Sequence, residues 1–106
     1  MEYCLVYMTA GTAEEARRIG AALVDEGLAA CANVIDGMTS IYRWEGEVRN
    51  DNEAVLIAKT RRALVERLTE RVKALHSYSC PCVVALPVLG GNPAFFDWIG
   101  METNSK

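Results

Sequence analysis

The fold turns on residues 28–48, LAACANVIDGMTSIYRWEGEV. β-branched and aromatic side chains recur along this stretch, and its one soft interruption is Asp36-Gly37. Val34, Ile41, Tyr42, Trp44 and Val48 give it apolar weight, while Glu45-Gly46 offers a tight turn or a bulge near its end. A β-region of about 15–20 residues is long for a small sheet. It is also aromatic where a solvated strand would be polar.

Working outward toward the N-terminus, residues 2–9 (EYCLVYMT) are almost wholly apolar and predict a central strand. Thr12 and Glu15 then have the spacing of a capping box, in which the hydroxyl takes a helix-start amide and the carboxylate reaches back. Ala16, Ile19, Gly20, Leu23 and Val24 follow at helical spacing, and Gly27 suits the closing position.

Toward the C-terminus, Asn50-Asp51-Asn52 predicts a turn, and residues 53–60 predict a further strand. A helix is expected over 61–76, with Leu64, Val65, Leu68, Val72 and Leu75 on one face. Residues 83–88 form the last expected strand, with Pro87 pointing to an edge or a strand end. Asn92-Pro93 caps a short helix expected to run through Trp98 and Ile99 and to stop at Gly100. Residues 102–106 make a polar tail expected to fray.

The order β-α-β-β-α-β plus a short terminal helix predicts an α+β chain, the ferredoxin-like split βαβ sandwich, as a single domain over 1–106. Two helices cover one face of such an antiparallel sheet. The other face must meet water or another subunit, and long aromatic strands favour the subunit.

Composition narrows the function. The 106 residues are 51% hydrophobic and 24% charged, a high apolar share for so small a body, which again suggests a subunit interface. The net charge of −3 leaves no basic stripe, so nucleic-acid binding is not expected. No apolar run approaches the roughly 18–20 residues of a membrane span. The acidic start Met1-Glu2-Tyr3 is unlike a signal peptide, so a cytoplasmic location is expected, with the four cysteines reduced rather than paired.

Several blocks resemble one family. Leu28-Ala29-Ala30-Cys31-Ala32-Asn33, then Ser40-Ile41-Tyr42-Arg43-Trp44-Glu45-Gly46, then Glu53 and Lys59-Thr60 look like the CutA family of divalent-cation tolerance proteins. His76-Ser77-Tyr78-Ser79-Cys80-Pro81, Leu86-Pro87 and Trp98 continue the match. The resemblance implies a tight homotrimer of PII-like plan, a role in tolerance to copper and other divalent ions, and no catalytic activity. It also implies copper ligands at the end of the first strand and beside a His-Pro-Tyr motif. Here the first place holds Met8, and the second could be met only by His76 itself, since Leu75 precedes it. Ser77 replaces the family's proline, and Cys82 replaces the glutamate expected after Pro81.

Cys80-Pro81-Cys82 is the most distinctive local feature. In an extended segment its two sulfurs face one side, near His76 in sequence, and soft sulfur with imidazole favours Cu(I) or zinc. Closure would need Met8, water or another subunit. The competing readings are two small residues packed at a strand start and a strained or redox-active disulfide. His76 equally suits the end of the second helix, near its last carbonyls. Cys4 and Cys31 read as packing residues. Trp44, Tyr42, Tyr78 and Trp98 suit an interface or a pocket, and Trp44, Lys59, Tyr78 and Trp98 mark the inter-subunit cleft. Lys59 and Glu53 share a strand face, as an ion pair, as plainly solvated charges or as an anion site.

The sequence therefore reads as a non-enzymatic trimeric protein of metal tolerance, with copper or another soft divalent metal as the ligand. The alternative is a PII-like sensor of a small ligand, or a partner-binding scaffold, acting through the clefts between subunits. With one histidine and no nucleophile–base pair, catalysis has no sequence support.

Overall fold

The computed structural model describes residues 1–103. The elements are β1 (Tyr3–Ala10), α1 (Ala13–Asp25), β2 (Cys31–Trp44), β3 (Glu47–Arg61), a 3₁₀ turn (Arg62–Leu64) leading into α2 (Val65–Leu75), β4 (Val83–Pro87) and α3 (Pro93–Glu102). One sheet has the order β2-β3-β1-β4, and every neighbouring pair is antiparallel. This is the expected α+β split βαβ arrangement, with β4 at an edge.

Alternation along the strands decides which side chains meet the helices. Val6 and Met8 of β1 and Leu56 and Ala58 of β3 join Ile19 and Leu23 of α1 and Leu68 and Val72 of α2 in one core. The helix starts as its sequence dictates: the Thr12 hydroxyl accepts from the Glu15 amide at 3.1 Å. Gly20 lets α1 lie close on the sheet, since a Cβ there would stand 3.1 Å from a Leu56 methyl and 3.2 Å from the Ala32 Cβ.

The β2–β3 hairpin departs from ordinary proportions. Its strands have 14 and 15 residues, and a bulge at Asp36-Gly37 separates the pairs Ile35–Val55 and Met38–Glu53. Its turn is Glu45-Gly46, with φ of 52° and 81°, the paired positive values of a two-residue hairpin turn. Beyond Met38 and Glu53 the hairpin runs as an arm past the helices, and Ile41, Tyr42, Trp44 and Val48 on it are exposed.

Three expectations need correction. Asn50-Asp51-Asn52 is strand, paired with Ile41, Ser40 and Thr39, because cross-strand bonding outweighs the turn preference of Asn and Asp. Helix α3 does not stop at Gly100 but continues to Glu102, and the Thr103 hydroxyl donates to the Ile99 carbonyl at 2.8 Å. Thr103 is buried, so the tail expected to fray is fixed at least to that residue; residues 104–106 lie outside the described part.

Helix α3 sits on the sheet face opposite α1 and α2, at one end. Tyr3 stacks on Phe96 with ring centroids 5.3 Å apart, and Arg61 Nε donates to the Thr103 hydroxyl at 2.8 Å. The rest of that face stays open.

Leu23→Ala should lower stability by about 2–5 kcal/mol through cavity formation. Gly20→Val should cost about 1–3 kcal/mol by forcing α1 off Leu56. Exposed Arg17→Ala should stay within about 0.5 kcal/mol. Denaturant unfolding of the three variants at equal chain concentration checks this ranking.

Candidate functional site

The segment from His76 to Cys82 joins α2 to β4 and carries most of the distinctive chemistry. Helix α2 ends as the His76 amide donates to the Val72 carbonyl at 2.9 Å and the backbone turns extended. The imidazole then turns inward until its side chain is only 1% exposed. Its Nε2 lies 2.8 Å from the Thr9 carbonyl oxygen, which can only accept, so Nε2 holds the proton. Nδ1 accepts the Tyr78 amide at 3.0 Å. Both ring nitrogens are thus engaged. The partner carbonyl belongs to β1, not to the last turn of α2 as the capping reading expected.

Glu15 anchors the next residue. Its carboxylate accepts the Ser77 amide at 2.8 Å, the Ser77 hydroxyl at 3.1 Å and the Gly11 amide at 3.3 Å, and it stands 3.8 Å from His76 Nδ1. Burial pushes this carboxyl up. The bonds from Ser77, the nearby His76 ring and the Gly11 amide together outweigh that and hold it below its usual value. A proline at position 77 would have no amide to give.

Tyr78 carries the network onto the sheet. Its ring lies 4.6 Å from the His76 ring, and its hydroxyl donates to Glu53 Oε2 at 2.7 Å. Glu53 Oε1 accepts the Ser40 hydroxyl at 2.6 Å. Burial, then the bond to Glu53, push the Tyr78 hydroxyl far above its ordinary range. Glu53 pairs with Met38 at the root of the arm, where the Tyr7 hydroxyl meets the Met38 sulfur at 3.5 Å. Farther out, Tyr42 donates to Asp51, which raises its hydroxyl as well. One polar chain therefore ties the start of α1, the loop after α2 and the base of the arm.

All four cysteines are free thiols; Cys80 is exposed, Cys82 half-buried and Cys4 buried. Burial pushes the Cys82 thiol up, the Glu53 carboxylate adds to this, and a hydrogen bond with Thr9 offsets part of it. Met8 is 1% exposed inside the core, on the face of β1 opposite Thr9. The structure therefore does not bring Met8 to the thiols. Among the described residues, no group of three or more His, Cys, Asp and Glu side chains is placed to hold a metal ion.

The cleft residues are spread out within the chain. Trp44 pairs with Glu47 at the arm tip, and from Glu47 to Lys59 the strand covers roughly 40 Å at about 3.3 Å per residue. Lys59 Nζ donates to Asn33 Oδ1 at 2.5 Å, so the expected Glu53–Lys59 ion pair is not made. Trp98 lies on α3, beside Phe95 at 5.4 Å, and Tyr78 stands at the arm root. Sequence reasoning missed Glu15 as the hub: its capping spacing was visible, but its partner Ser77 lies 62 residues away.

Comparison with known proteins supplies the rest. Residues 4–102 match the model of the CutA1 divalent ion tolerance protein family. The chain is 50% identical over 99 residues to the divalent-cation tolerance protein CutA of Thermus thermophilus, covering 93% of this chain and 96% of that protein. It is 44% identical over 102 residues to the chloroplastic Protein CutA 1 of Oryza sativa, covering 96% of this chain and 58% of that longer protein. Among solved structures, CutA1 from Oryza sativa superposes with a TM-score of 0.97 at 42% identity, covering 100% of this chain and 97% of the other. The Thermus thermophilus structure gives 0.94 at 48% identity, covering 96% and 99%.

Glu15 yields a prediction about acid stability. Its folded carboxyl ionises below the ordinary value of 4.5, so its contribution is complete above that pH and is lost as pH falls through the lower folded value. Glu15→Gln should cost about 1–3 kcal/mol at neutral pH, the range for hydrogen bonds to a charged group. It should also flatten the decline in stability below about pH 4.5. Denaturant unfolding across pH checks both, and an unaltered acid decline would remove Glu15 as its source.

Proposed function

Because this chain belongs to the CutA1 divalent ion tolerance family, we propose that it serves divalent-cation tolerance as a non-catalytic homotrimer of one CutA-like domain per chain, taking up copper or another soft metal ion. The observation that carries the trimer is the uncovered sheet face with its projecting arm. Ile35, Val84 and Leu86 are exposed on that face, and the arm adds Ile41, Tyr42, Trp44 and Val48. A two-stranded hairpin is marginal alone in water, and this one exposes apolar side chains on both faces, Tyr42 and Trp44 on one and Ile41 and Val48 on the other, as an interface would use. The three-fold number is what the family resemblance implies.

The arm also gives the cleft residues a way to meet. A neighbour's arm laid along the open face would bring its Trp44 toward Tyr78, Lys59 and Trp98, which one chain holds apart. Each joint would then be lined by aromatic side chains at a polar root, the pairing of apolar body and polar tip that interfaces favour.

The metal reading must be narrowed. Met8, His76, Cys80 and Cys82 do not fit as one ligand set within a chain: the core encloses Met8, and both His76 nitrogens are bonded. Cys80 is exposed and Cys82 half-buried. Catalysis has little to work with, since the one histidine is committed to Thr9 and Tyr78. A cytoplasmic location suits four free thiols, which a reducing compartment preserves.

Light scattering at micromolar concentration should give a mass about three times the 11.6 kDa of one chain. An Ile41→Asp/Val48→Asp variant, with two carboxylates on one face of the arm, should shift the population toward monomer. A wild-type mass of one chain would overturn the proposal.

A further inference from the structure

We propose that Cys80 and Cys82 alone form a two-sulfur site for a soft, closed-shell ion, Cu(I) foremost, and that Met8 and His76 take no part in it. This rests on the metal reading above and names the residues responsible.

Elimination supplies the first argument. A ligand must offer a lone pair the fold has not already used. His76 Nδ1 gives its lone pair to the Tyr78 amide, and Nε2 spends its proton on the Thr9 carbonyl, inside a ring enclosed by the fold. Freeing either nitrogen would break the connection that seats Tyr78 on Glu53. Met8 would have to leave the core against Leu56 and the helices. Glu53 accepts from Tyr78 and Ser40, one bond at each oxygen, and its hard oxygens are poor ligands for a soft ion. Cys80 and Cys82 are the soft ligating side chains of this segment that remain; Cys82 has a hydrogen bond with Thr9, but a thiolate sulfur keeps further lone pairs for a metal.

The backbone supplies the second. Residues 79–82 belong to no helix or strand, so no ladder fixes the relative direction of the two sulfurs. The segment is nonetheless held at both ends, by Tyr78 on Glu53 and by Val83 paired with Met8. Pro81 between the cysteines stiffens φ and limits how far the pair can spread. A short tether between two fixed points is preorganised for a chelate without being locked against it.

Ligand number selects the ion. Two thiolates satisfy Cu(I), which accepts few soft ligands, whereas zinc seeks four and calcium or magnesium seek oxygen. Binding breaks two S–H bonds, forms two Cu–S bonds and releases both protons to solvent, with no change of oxidation state.

The test is an anaerobic titration of the reduced, assembled protein with Cu(I) against a chromophoric copper chelator, followed by X-ray absorption at the copper edge. Wild type should bind one ion per chain with sulfur neighbours only. Cys80→Ser and Cys82→Ser should each lose this binding, while Met8→Leu and His76→Gln should keep it. Since His76→Gln disturbs the Tyr78 seat, Met8→Leu and the absorption spectrum of wild type carry the decision if that variant fails to fold. Nitrogen neighbours at copper, or full binding by the double serine variant, would overturn this assignment and leave the metal reading standing. No binding by wild type would overturn both.

Discussion

An antiparallel sheet has two faces, and this chain has helices enough for one. α1 and α2 seal the side that carries Val6, Met8 and Leu56, and α3 covers only the end of the other side near Tyr3 and Arg61. The shortage worsens along β2 and β3, which extend past every helix once they pass Met38 and Glu53. Within that arm β2 and β3 pair only with each other, and a hairpin bonded only to itself contributes little net stability in water. In the trimer proposed above, the missing contribution comes from surface that neighbouring copies cover. Identical copies supply it most simply, because each brings the same open face and the same arm.

The polar network belongs to this account, since it fixes where the arm begins. Glu15 holds Ser77, His76 holds Tyr78, and Tyr78 holds Glu53 beside the bulge. Each link is a hydrogen bond near the surface, modest alone, and the three act together to hold the loop against the sheet. The same links account for the fate of the candidate ligands. An imidazole that braces a loop from both nitrogens is not free to bind a metal, and the loop it braces is the one that presents Cys80 and Cys82.

Much of the fold was legible because local and tertiary preferences agree. The Thr12–Glu15 spacing, the stripe through Ile19 and Leu23, and the soft break at Asp36-Gly37 all appear where the pattern puts them. The failures fall where distant partners decide. Asn50-Asp51-Asn52 has turn chemistry but lies opposite Thr39, Ser40 and Ile41, whose bonding keeps it extended. Gly100 reads as a stop, yet α3 is anchored past it by Thr103 and Arg61. Lys59 and Glu53 share a face, but Asn33 takes one, and Tyr78 with Ser40 takes the other. The site was legible as a list of residues rather than as an arrangement: spacing places Cys80 and Cys82 together, but nothing in it shows that His76 turns toward Thr9.

Amide hydrogen exchange on the arm, residues 38–53, tests most directly whether other copies cover it. Under conditions where the protein is assembled, those amides should exchange nearly as slowly as the paired amides of β1 and the inner half of β3, because opening the arm would then require separating subunits. Exchange on the arm at rates typical of an isolated hairpin, while β1 remains protected, would show an arm in water and contradict the account.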